Sequence, residues 1–457
     1  MADPKIAYVR ETMLPPQAPP GNDTGAVSWI RENLLSSWLN VILTVLSLWL
    51  VYYVVSHVAP WLLRGIWQAD SLAQCRQIRD EMYGAGANVA CFAVITERWN
   101  QLVFGFYPRS GYWRVILAFV LLVVAIAPVL FAALPRKMLW FSLVSPLLMF
   151  FLIWGGTIWG PIAVGLGLAA MVGAGVLVTR KRGMLLGVLV AIGVGILWFL
   201  NPFAIVWNGV GGAGNPLGFL FPIDSLITRI GDAVAPGLAL PRVLSKDIGG
   251  FTLSFIIGIA GIALSLPLGI LLALGRKSNM LIINTLSVAF IEVIRGVPLI
   301  VWLFTASLLL NYFMPPGTNF DLMLRVIIMV TLFSAAYIAE VVRGGLAAIP
   351  KGQYEAADAL GLDYWKAMRL IILPQALKIS IPGIVNTFIG LFKDTTLVVF
   401  IGMMDPVNLL GSIRANTAWN GIYWELFLFV GLMFFIVCFL MSRYSIYLEK
   451  RLRREHR

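Results

Sequence analysis

Long apolar segments separated by short polar connections dominate this sequence of 457 residues. A helix crosses the hydrocarbon core of a membrane with roughly 20 mostly apolar residues. About ten segments meet or approach that length, at 39 to 57, 115 to 134, 139 to 154, 159 to 179, 183 to 200, 248 to 274, 281 to 311, 324 to 346, 381 to 401 and 423 to 442. The pattern predicts an all-α integral membrane protein with about ten transmembrane helices. The third and fourth segments form either a tight hairpin or a re-entrant element.

The composition indicates that most of this chain lies within a lipid membrane. Hydrophobic residues make up 60% of the sequence and charged residues 12%, about half the charged fraction of a typical soluble domain. A soluble enzyme is therefore excluded as a class. The net charge of +12 does not indicate a nucleic-acid partner, because the basic residues cluster between apolar segments, as they do at the cytoplasmic ends of membrane spans.

The short basic connections set the expected orientation. They are Arg136-Lys137, Arg180-Lys181-Arg182, Arg276-Lys277 and the tail from Lys450 to Arg454. With ten spans, all of them lie on the same side as both termini, which predicts that the N- and C-termini are cytoplasmic.

Changes in composition divide the chain into segments. Residues 1–38 are polar and proline-rich and are predicted to be a flexible cytoplasmic arm. Residues 39–247 hold about five spans with almost no intramembrane charge, and 248–445 hold about five with several. Residues 446–457 are expected to be a basic cytoplasmic tail.

The few cysteines and histidines limit the redox and metal chemistry. Cys75 and Cys91 share a polar loop predicted to lie outside, so they form one disulfide if that loop faces an oxidising compartment, and otherwise remain free thiols. Cys438 lies in an apolar segment and is interpreted as a core residue. Two histidines in the whole chain predict no metal site.

Ionisable residues at membrane depth occur in the C-terminal group of spans. Such residues are costly there, so they pair with one another or line a polar path. The residues are Glu292, Arg295, Glu340, Arg343, Lys393 and Asp394. Both a structural and a functional interpretation stay open, and Glu340 and Arg343 have the helical spacing for mutual pairing. For a zwitterionic substrate, both signs of charge are useful.

The connection at 349–374 is the most informative segment. Pro350 suits the first turn of a helix and Gly361 its end, which predicts a helix from about 350 to 361. Asp363 is expected to cap a second short helix that Pro374 stops. The first helix carries small side chains, which allow close entry into a groove of a partner, so we expect a docking element for a cytoplasmic protein.

The same segment carries a family resemblance. Its defined positions are Glu355-Ala356-Ala357, Gly361, Ile371 and Leu373-Pro374. This pattern resembles the EAA loop of binding-protein-dependent ABC importer permeases. The segments 336–345, 349–353, 292–300 and 393–397 are similar to the polar amino-acid branch of that family, the histidine and glutamine permease-like proteins. Val297 and Thr396 are mild departures from the usual residues of this branch.

The resemblance implies a function and a set of partners. Residues 248–445 would form a five-helix type I permease core, preceded by an extension similar to that of permeases of the general L-amino-acid transporters of Gram-negative bacteria. The chain would then be a transport subunit in the bacterial inner membrane. Its implied partners are a second permease subunit, two ABC ATPase subunits and a periplasmic amino-acid-binding protein.

The resemblance also implies roles for particular residues. This sequence has no phosphate-binding loop with the Gly-Lys order, so ATP and Mg would bind on the partner ATPase, with no cofactor in this chain and no enzymatic activity of its own. Coupling to the ATPase is expected through Lys351, Gly352, Glu355, Ala356, Ala357 and Gly361. The candidate contacts to substrate are Glu340, Asp394 and Arg295.

Two other classes remain as alternatives. A secondary amino-acid transporter would predict inverted repeats, and the sequence shows no repeat between its halves. A membrane scaffold subunit would not need polar groups in the C-terminal spans. Neither alternative explains the loop at 349–374.

Overall fold

The computed structural model describes part of the chain in detail. The described residues are 25–131, 133–199, 223–235, 237, 239–309 and 321–454. The chain forms two compact units, Met1–Ala93 and Val94–Arg457.

The first unit contains one long apolar helix and a short polar one. Its helices are α1 (Ala26–Asn33), α2 (Trp38–Leu63) and α3 (Leu72–Tyr83). Ser37 and Ser71 cap α2 and α3, each accepting a hydrogen bond from a backbone N–H three residues later, which satisfies one of the open donors at a helix start. The arm predicted to be flexible thus contains the helix α1, while its proline-rich stretch at 14–20 lies outside the described residues.

The second unit is a helical bundle. From the boundary between the units onward, the helices are α4 (Ala93–Glu97), α5 (Trp99–Phe104), α6 (Tyr112–Leu130), α7 (Leu139–Trp154), α8 (Trp159–Arg182), α9 (Met184–Phe199), α10 (Ile223–Val234), α11 (Gly250–Arg276), α12 (Leu281–Gly296), α13 (Leu299–Phe304), α14 (Leu322–Ala347), α15 (Lys351–Ala359), α16 (Tyr364–Ala367), α17 (Leu373–Asp394), α18 (Pro406–Arg414) and α19 (Trp424–Arg454). Two short strands, β1 (Gly156–Thr157) and β2 (Ala239–Leu240), pair antiparallel.

The predicted membrane fold is confirmed. Eight helices of the described chain are long and apolar enough to cross a membrane, and a bent pair raises the number to nine. The remaining predicted span corresponds to a shorter apolar helix, Leu186–Trp198. The last span continues beyond the predicted limit of the core at 445, because α19 runs through most of the basic tail.

The prediction that residues 281–311 form one continuous helix is wrong. Helices α12 and α13 meet at an angle of 101°. Val297 between them has φ −120° and ψ 135°, because the ring of Pro298 disfavours helical geometry at the preceding residue. Proline cannot donate the backbone hydrogen bond that would continue α12.

The predicted stop at Pro374 is also wrong. A helical path runs from Tyr364 to Ile401, with a π turn at Met368–Ile372 immediately before α17. Pro374 lies in the first turn of α17, where the missing N–H costs little. Asp363 stands at the start of α16 but makes no side-chain cap, and its carboxylate instead lies 3.5 Å from Lys366 Nζ.

Helices α11 and α14 form the centre of the bundle. Gly261 faces Val330 and Gly269 faces Ile338, so residue numbers rise together along the two helices and the helices run parallel. A Cβ atom added at Gly269 would lie 2.7 Å from Ile338 Cβ. Small residues therefore set the close approach of these helices, as is common in membrane bundles.

The part of the extension from Val94 onward packs against this core. Phe104, Val115 and Leu152 share one buried apolar cluster with Leu253 and Val326. The extension therefore packs against the core within this chain.

One buried cation, Arg114, connects several segments of the extension. Arg114 is 3% exposed and donates to the backbone carbonyls of Leu152 at 2.7 Å, Pro241 at 2.9 Å and Ile153 at 3.4 Å. Tyr107 Oη also donates to Ile153 O, at 2.7 Å. These bonds hold α6, the end of α7 and the segment after β2 together.

Candidate functional site

Charged side chains from three helices of the core converge in one cluster. Arg276 is the last residue of α11, Glu292 and Arg295 lie on α12, and Glu340 and Arg343 lie on α14. These five residues are called the arginine–glutamate cluster. The local fold explains the convergence, because α12 starts five residues after α11 ends and α11 and α14 run parallel.

Glu340 is the centre of the arginine–glutamate cluster. Its carboxylate accepts hydrogen bonds from Arg276 Nη1 at 2.6 Å and Arg343 Nη2 at 3.0 Å, and Arg295 Nη1 lies 3.6 Å away. Arg276 Nη1 also donates to Glu292 Oε1 at 2.9 Å. The expected pairing of Glu340 with Arg343 is therefore present, but as one of three.

Burial differs among the members of the cluster. The Glu340 side chain is 16% exposed, whereas Arg343 is 48% and Glu292 55% exposed. A partly buried carboxylate needs hydrogen-bonded cationic partners to offset its lost hydration. Glu340 meets this requirement with guanidinium groups from three helices, so the cluster ties the ends of α11 and α14 to α12.

A cavity opens beside the cluster. It has a volume of about 270 Å³ and is lined by Arg276, Lys277, Arg343, Leu346 and Ala347. This feature is called the basic cavity. The cations of the cluster and Lys277 number four, against two carboxylates, so the field in the cavity attracts anions.

The helix predicted at 350–361 is found as α15. Pro350 precedes it directly, and Gly361 follows it with φ +67°, a conformation that glycine adopts without strain. Lys351, Gly352, Glu355 and Ala356 are exposed, as is Gly361, while Ala357 is buried.

The exposed surface continues past the end of α15 with apolar side chains. Leu360 is 73% exposed, and Tyr364 and Trp365 are about half exposed. An apolar group of this kind beside charged side chains is typical of a protein contact surface.

Several contacts attach α15 to the rest of the protein, among them a hydrogen bond from Tyr354 Oη to Leu346 O at 3.4 Å. Lys277 Nζ donates to Tyr354 Oη at 2.5 Å and lies 4.3 Å from the centre of the Tyr354 ring. Gln375 Nε2 donates to Gln353 Oε1 at 3.0 Å. Because Lys277 follows Arg276 directly, α15 is linked to the arginine–glutamate cluster through one peptide bond.

The structure brings two of the three candidate substrate residues together. Arg295 and Glu340 are neighbours in the cluster, whereas Asp394 is the last residue of α17 and forms no ion pair within the described chain. Arg276 and Lys277 are the site residues that sequence reasoning missed. They look like ordinary orientation signals, and only the parallel packing of α11 and α14 reveals their partners.

The cysteines of the first unit are joined. A disulfide links Cys75 of α3 to Cys91, with their Cα atoms 6.1 Å apart. Ile66 pairs with Cys91 in an isolated bridge. Cys438 in α19 is a free, buried thiol.

A second acidic group of interest lies between the last two long spans. Asp405 is fully buried and caps α18, accepting from the N–H groups of Val407 and Asn408 at 3.0 Å each. Burial raises the pKa of this carboxyl to about 6, although the backbone hydrogen bonds oppose that rise.

The sequence is similar to those of known transport proteins. Residues 265–454 match the family described as binding-protein-dependent transport system inner membrane component. The chain is 55% identical over 452 residues to the glutamate/glutamine/aspartate/asparagine transport system permease protein BztC of Rhodobacter capsulatus, covering 99% of each chain. It is 38% identical to the inner membrane amino-acid ABC transporter permease protein YhdY of Escherichia coli K12, covering 96% of each.

A solved structure also matches the C-terminal part. The crystal structure of an amino acid ABC transporter with histidines is 30% identical, with a TM-score of 0.39, over 43% of this chain and 90% of that one. The matches over nearly the full length, taken with the all-helical membrane fold, establish the family. The chain belongs to the permease subunits of polar amino-acid ABC importers, the binding-protein-dependent inner membrane components.

Proposed function

We propose that this chain imports acidic amino acids and their amides as one of two permease subunits of the importer. The observation that carries the proposal is the 55% identity, over 99% of both chains, to a permease of a system named for glutamate, glutamine, aspartate and asparagine. The surplus of cations at the arginine–glutamate cluster supports a substrate that carries carboxylate groups.

The second element of the proposal is coupling through α15. This helix presents Lys351, Gly352, Glu355 and Ala356 to the solvent, and Gly361 ends it. Two ABC ATPase subunits would hold ATP and Mg and hydrolyse ATP, one of them docking on α15, so this chain needs no cofactor. The ATPase drives transport only if α15 binds it differently in the inward-open and outward-open states.

The third element is orientation in the bacterial inner membrane. The basic turns at Arg136-Lys137 and the end of α8, together with Arg276-Lys277 and the end of α19, all fall on one side if the ten apolar segments cross in turn. That side is cytoplasmic by the distribution of basic residues. The disulfide between Cys75 and Cys91 then lies on the periplasmic side, where such bonds persist. A periplasmic amino-acid-binding protein would deliver substrate there.

Among the candidate substrate contacts, we favour Asp394 over Glu340. Glu340 already accepts from Arg276 and Arg343, with Arg295 close by, so an incoming ammonium group would have to displace a guanidinium. Asp394 forms no such pair in the described chain. We therefore assign the substrate ammonium to Asp394, and to Glu340 and Arg295 the task of positioning the helices around the path.

Reconstitution tests the proposed function. The complete complex in proteoliposomes should take up glutamate and glutamine only with ATP inside and the binding protein outside. The variant Glu355→Arg reverses the charge on the exposed face of α15, and a like-charge contact costs several kcal/mol. We expect uptake to fall by about tenfold or more, with ATPase subunits lost on purification or hydrolysing ATP without transport.

A charge reversal elsewhere provides the matched control. Glu97 in α4 is also an exposed glutamate, but the proposed orientation places it on the periplasmic side. Glu97→Arg should leave the attachment of the ATPase intact. Normal coupled uptake by the Glu355→Arg complex would disprove the docking role of α15.

A further inference from the structure

The basic cavity lies beside the arginine–glutamate cluster, and Glu340 is not one of its lining residues. Its walls come from the end of α11, through Arg276 and Lys277, and from the end of α14, through Arg343, Leu346 and Ala347. A volume of about 270 Å³ is close to the lower limit of roughly 300 Å³ for small-molecule sites. The cavity therefore suits a ligand of amino-acid size.

The donors at the cavity exceed the acceptors available to them. Arg343 uses Nε and Nη2 for Glu340, which leaves Nη1 for another acceptor. Guanidinium groups bind carboxylates through paired, charge-assisted hydrogen bonds, so an anion would satisfy donors that the protein leaves open.

The apolar wall of the cavity selects among anions. Leu346 and Ala347 face the same space as the three basic residues. Inorganic phosphate gains nothing from an apolar surface, whereas the methylene groups of a dicarboxylic amino acid lose water when they pack there. The lining is thus mainly apolar, with a smaller polar part from basic side chains.

We propose that the basic cavity is a product site on the cytoplasmic side, which binds a carboxylate of an acidic amino acid through Arg343 and Lys277. The side of the membrane and the substrate class rest on the proposed function. The site lies at the inner ends of α11 and α14 and is separate from Asp394.

Binding at this site has a consequence for α15. Lys277 is shared, because its ammonium group also contacts the hydroxyl and the ring of Tyr354. A carboxylate in the cavity competes with Tyr354 for Lys277 and weakens one of the attachments of α15. Since coupling between sites is reciprocal, release of α15 by amino acid implies weaker binding of amino acid when α15 is held in place.

Two substitutions test the site with opposite expected signs. The complete complex is placed in nanodiscs of phosphatidylcholine without ATP or binding protein, and L-glutamate is titrated by calorimetry. Arg343→Gln should weaken binding by about tenfold or more, the loss expected for one charged hydrogen bond. Tyr354→Phe removes the hydroxyl that competes for Lys277 and should tighten binding several-fold.

Controls separate a local effect from damage to the fold. In Arg343→Gln, Glu340 keeps Arg276 and Arg295 as partners, and a gain of affinity in Tyr354→Phe has no explanation in unfolding. Arg180→Gln removes an exposed arginine from the end of α8 and should leave glutamate binding unchanged.

Several results would overturn the inference. They are equal affinities in the Arg343→Gln and Arg180→Gln complexes, no change or a loss in Tyr354→Phe, displacement of glutamate by inorganic phosphate at equal concentration, and abolition of binding when phosphatidylglycerol replaces phosphatidylcholine. The last two would assign the cavity to any phosphate or to a lipid headgroup. ATP-driven uptake that persists without glutamate binding here would leave the proposed function intact.

Discussion

Arginine holds helices together in two regions of this permease, with two different kinds of partner. In the extension, Arg114 donates to backbone carbonyls, among them those of Leu152 and Pro241. In the core, Arg276 and its neighbours donate to the side-chain carboxylate of Glu340. Arg114 is buried and Arg276 is partly exposed, and the two arrangements differ in what must move to break them.

The difference indicates which charges can take part in transport. Carbonyl acceptors are fixed by the backbone, so Arg114 can leave them only if the ends of α7 and the β2 segment separate. A carboxylate on α14 can exchange one guanidinium for another when helices shift by a small distance. We infer that the extension is a static support and that the arginine–glutamate cluster is the element with alternative arrangements.

Removal of Arg114 should have the largest effect on stability. Arg114→Met keeps the apolar stem but leaves the carbonyls of Leu152 and Pro241 without their donor, while Ile153 O keeps Tyr107 Oη. Each buried unsatisfied group costs about 1 to 3 kcal/mol. We expect a loss of about 3 to 5 kcal/mol in resistance to thermal unfolding in detergent, followed by tryptophan fluorescence, together with poor assembly of the complex.

Arg109 offers a control at the same end of α6. It is exposed and precedes α6 by three residues, so Arg109→Met should change the unfolding temperature little. Equal losses in the two variants would mean that the carbonyl contacts of Arg114 do not hold the extension in place.

Neutralising Glu340 should have a smaller effect on stability and a larger one on transport. Glu340→Gln still accepts hydrogen bonds, but it leaves the charges of Arg276, Arg295 and Arg343 without their main counter-ion. Because the site is partly exposed, we expect a stability loss of about 2 kcal/mol. Assembly should survive, while substrate-stimulated ATP hydrolysis and uptake in proteoliposomes should fall.

Comparison with Glu292→Gln shows whether the central position of Glu340 matters or only the loss of one negative charge from the cluster. Among the described residues Glu292 pairs with Arg276 alone, and it is 55% exposed, so Glu292→Gln removes the same charge at lower cost. If both variants transport normally, the cluster is merely structural and the contrast with Arg114 disappears.

The long apolar segments made most of the fold predictable, because each membrane helix must satisfy its backbone internally and so needs a recognisable length. The two errors occurred at Pro298 and Pro374. Pro298 breaks a helix, whereas Pro374 lies in the first turn of one. Which of the two a proline does depends on whether the neighbouring turn can rearrange. The π turn before α17 carries no sequence signal known to us.

The site was predictable only in part. Helical spacing indicated the Glu340 and Arg343 pair, since both residues lie on one helix. Arg276 and Lys277 were interpreted as orientation signals because a basic pair after an apolar segment has that meaning in most membrane proteins. Their partners lie 64 and 77 residues away, and such contacts depend on helix packing that one sequence does not reveal.

Asp405 extends the comparison to a buried acid that is held by backbone groups. Its variant should have the smallest effect of those considered, a small gain in stability. Its raised pKa, about 6 against 3.8 when exposed, means that the folded protein binds the proton more tightly than the unfolded chain does. The contribution of Asp405 to stability is therefore most favourable below about pH 4 and is lost as the pH rises through 6. Asp405→Asn removes the buried charge and keeps one of the two cap bonds, because its amide has a single acceptor oxygen. At pH 7.5 the net effect should be a stabilisation on the order of 1 kcal/mol.

Asp321 is the matched control for this pH dependence. It caps α14 through the N–H groups of Met323 and Leu324, as Asp405 caps α18, but it is exposed. Unfolding temperatures measured from pH 4.5 to 7.5 should lose part of their slope in Asp405→Asn and keep it in Asp321→Asn. If Asp405→Asn instead destabilises the protein at pH 7.5, the buried carboxylate contributes more through its charge than it loses through burial. Charges held by backbone groups would then be active elements like the arginine–glutamate cluster, and the distinction between static and exchangeable charges would fail.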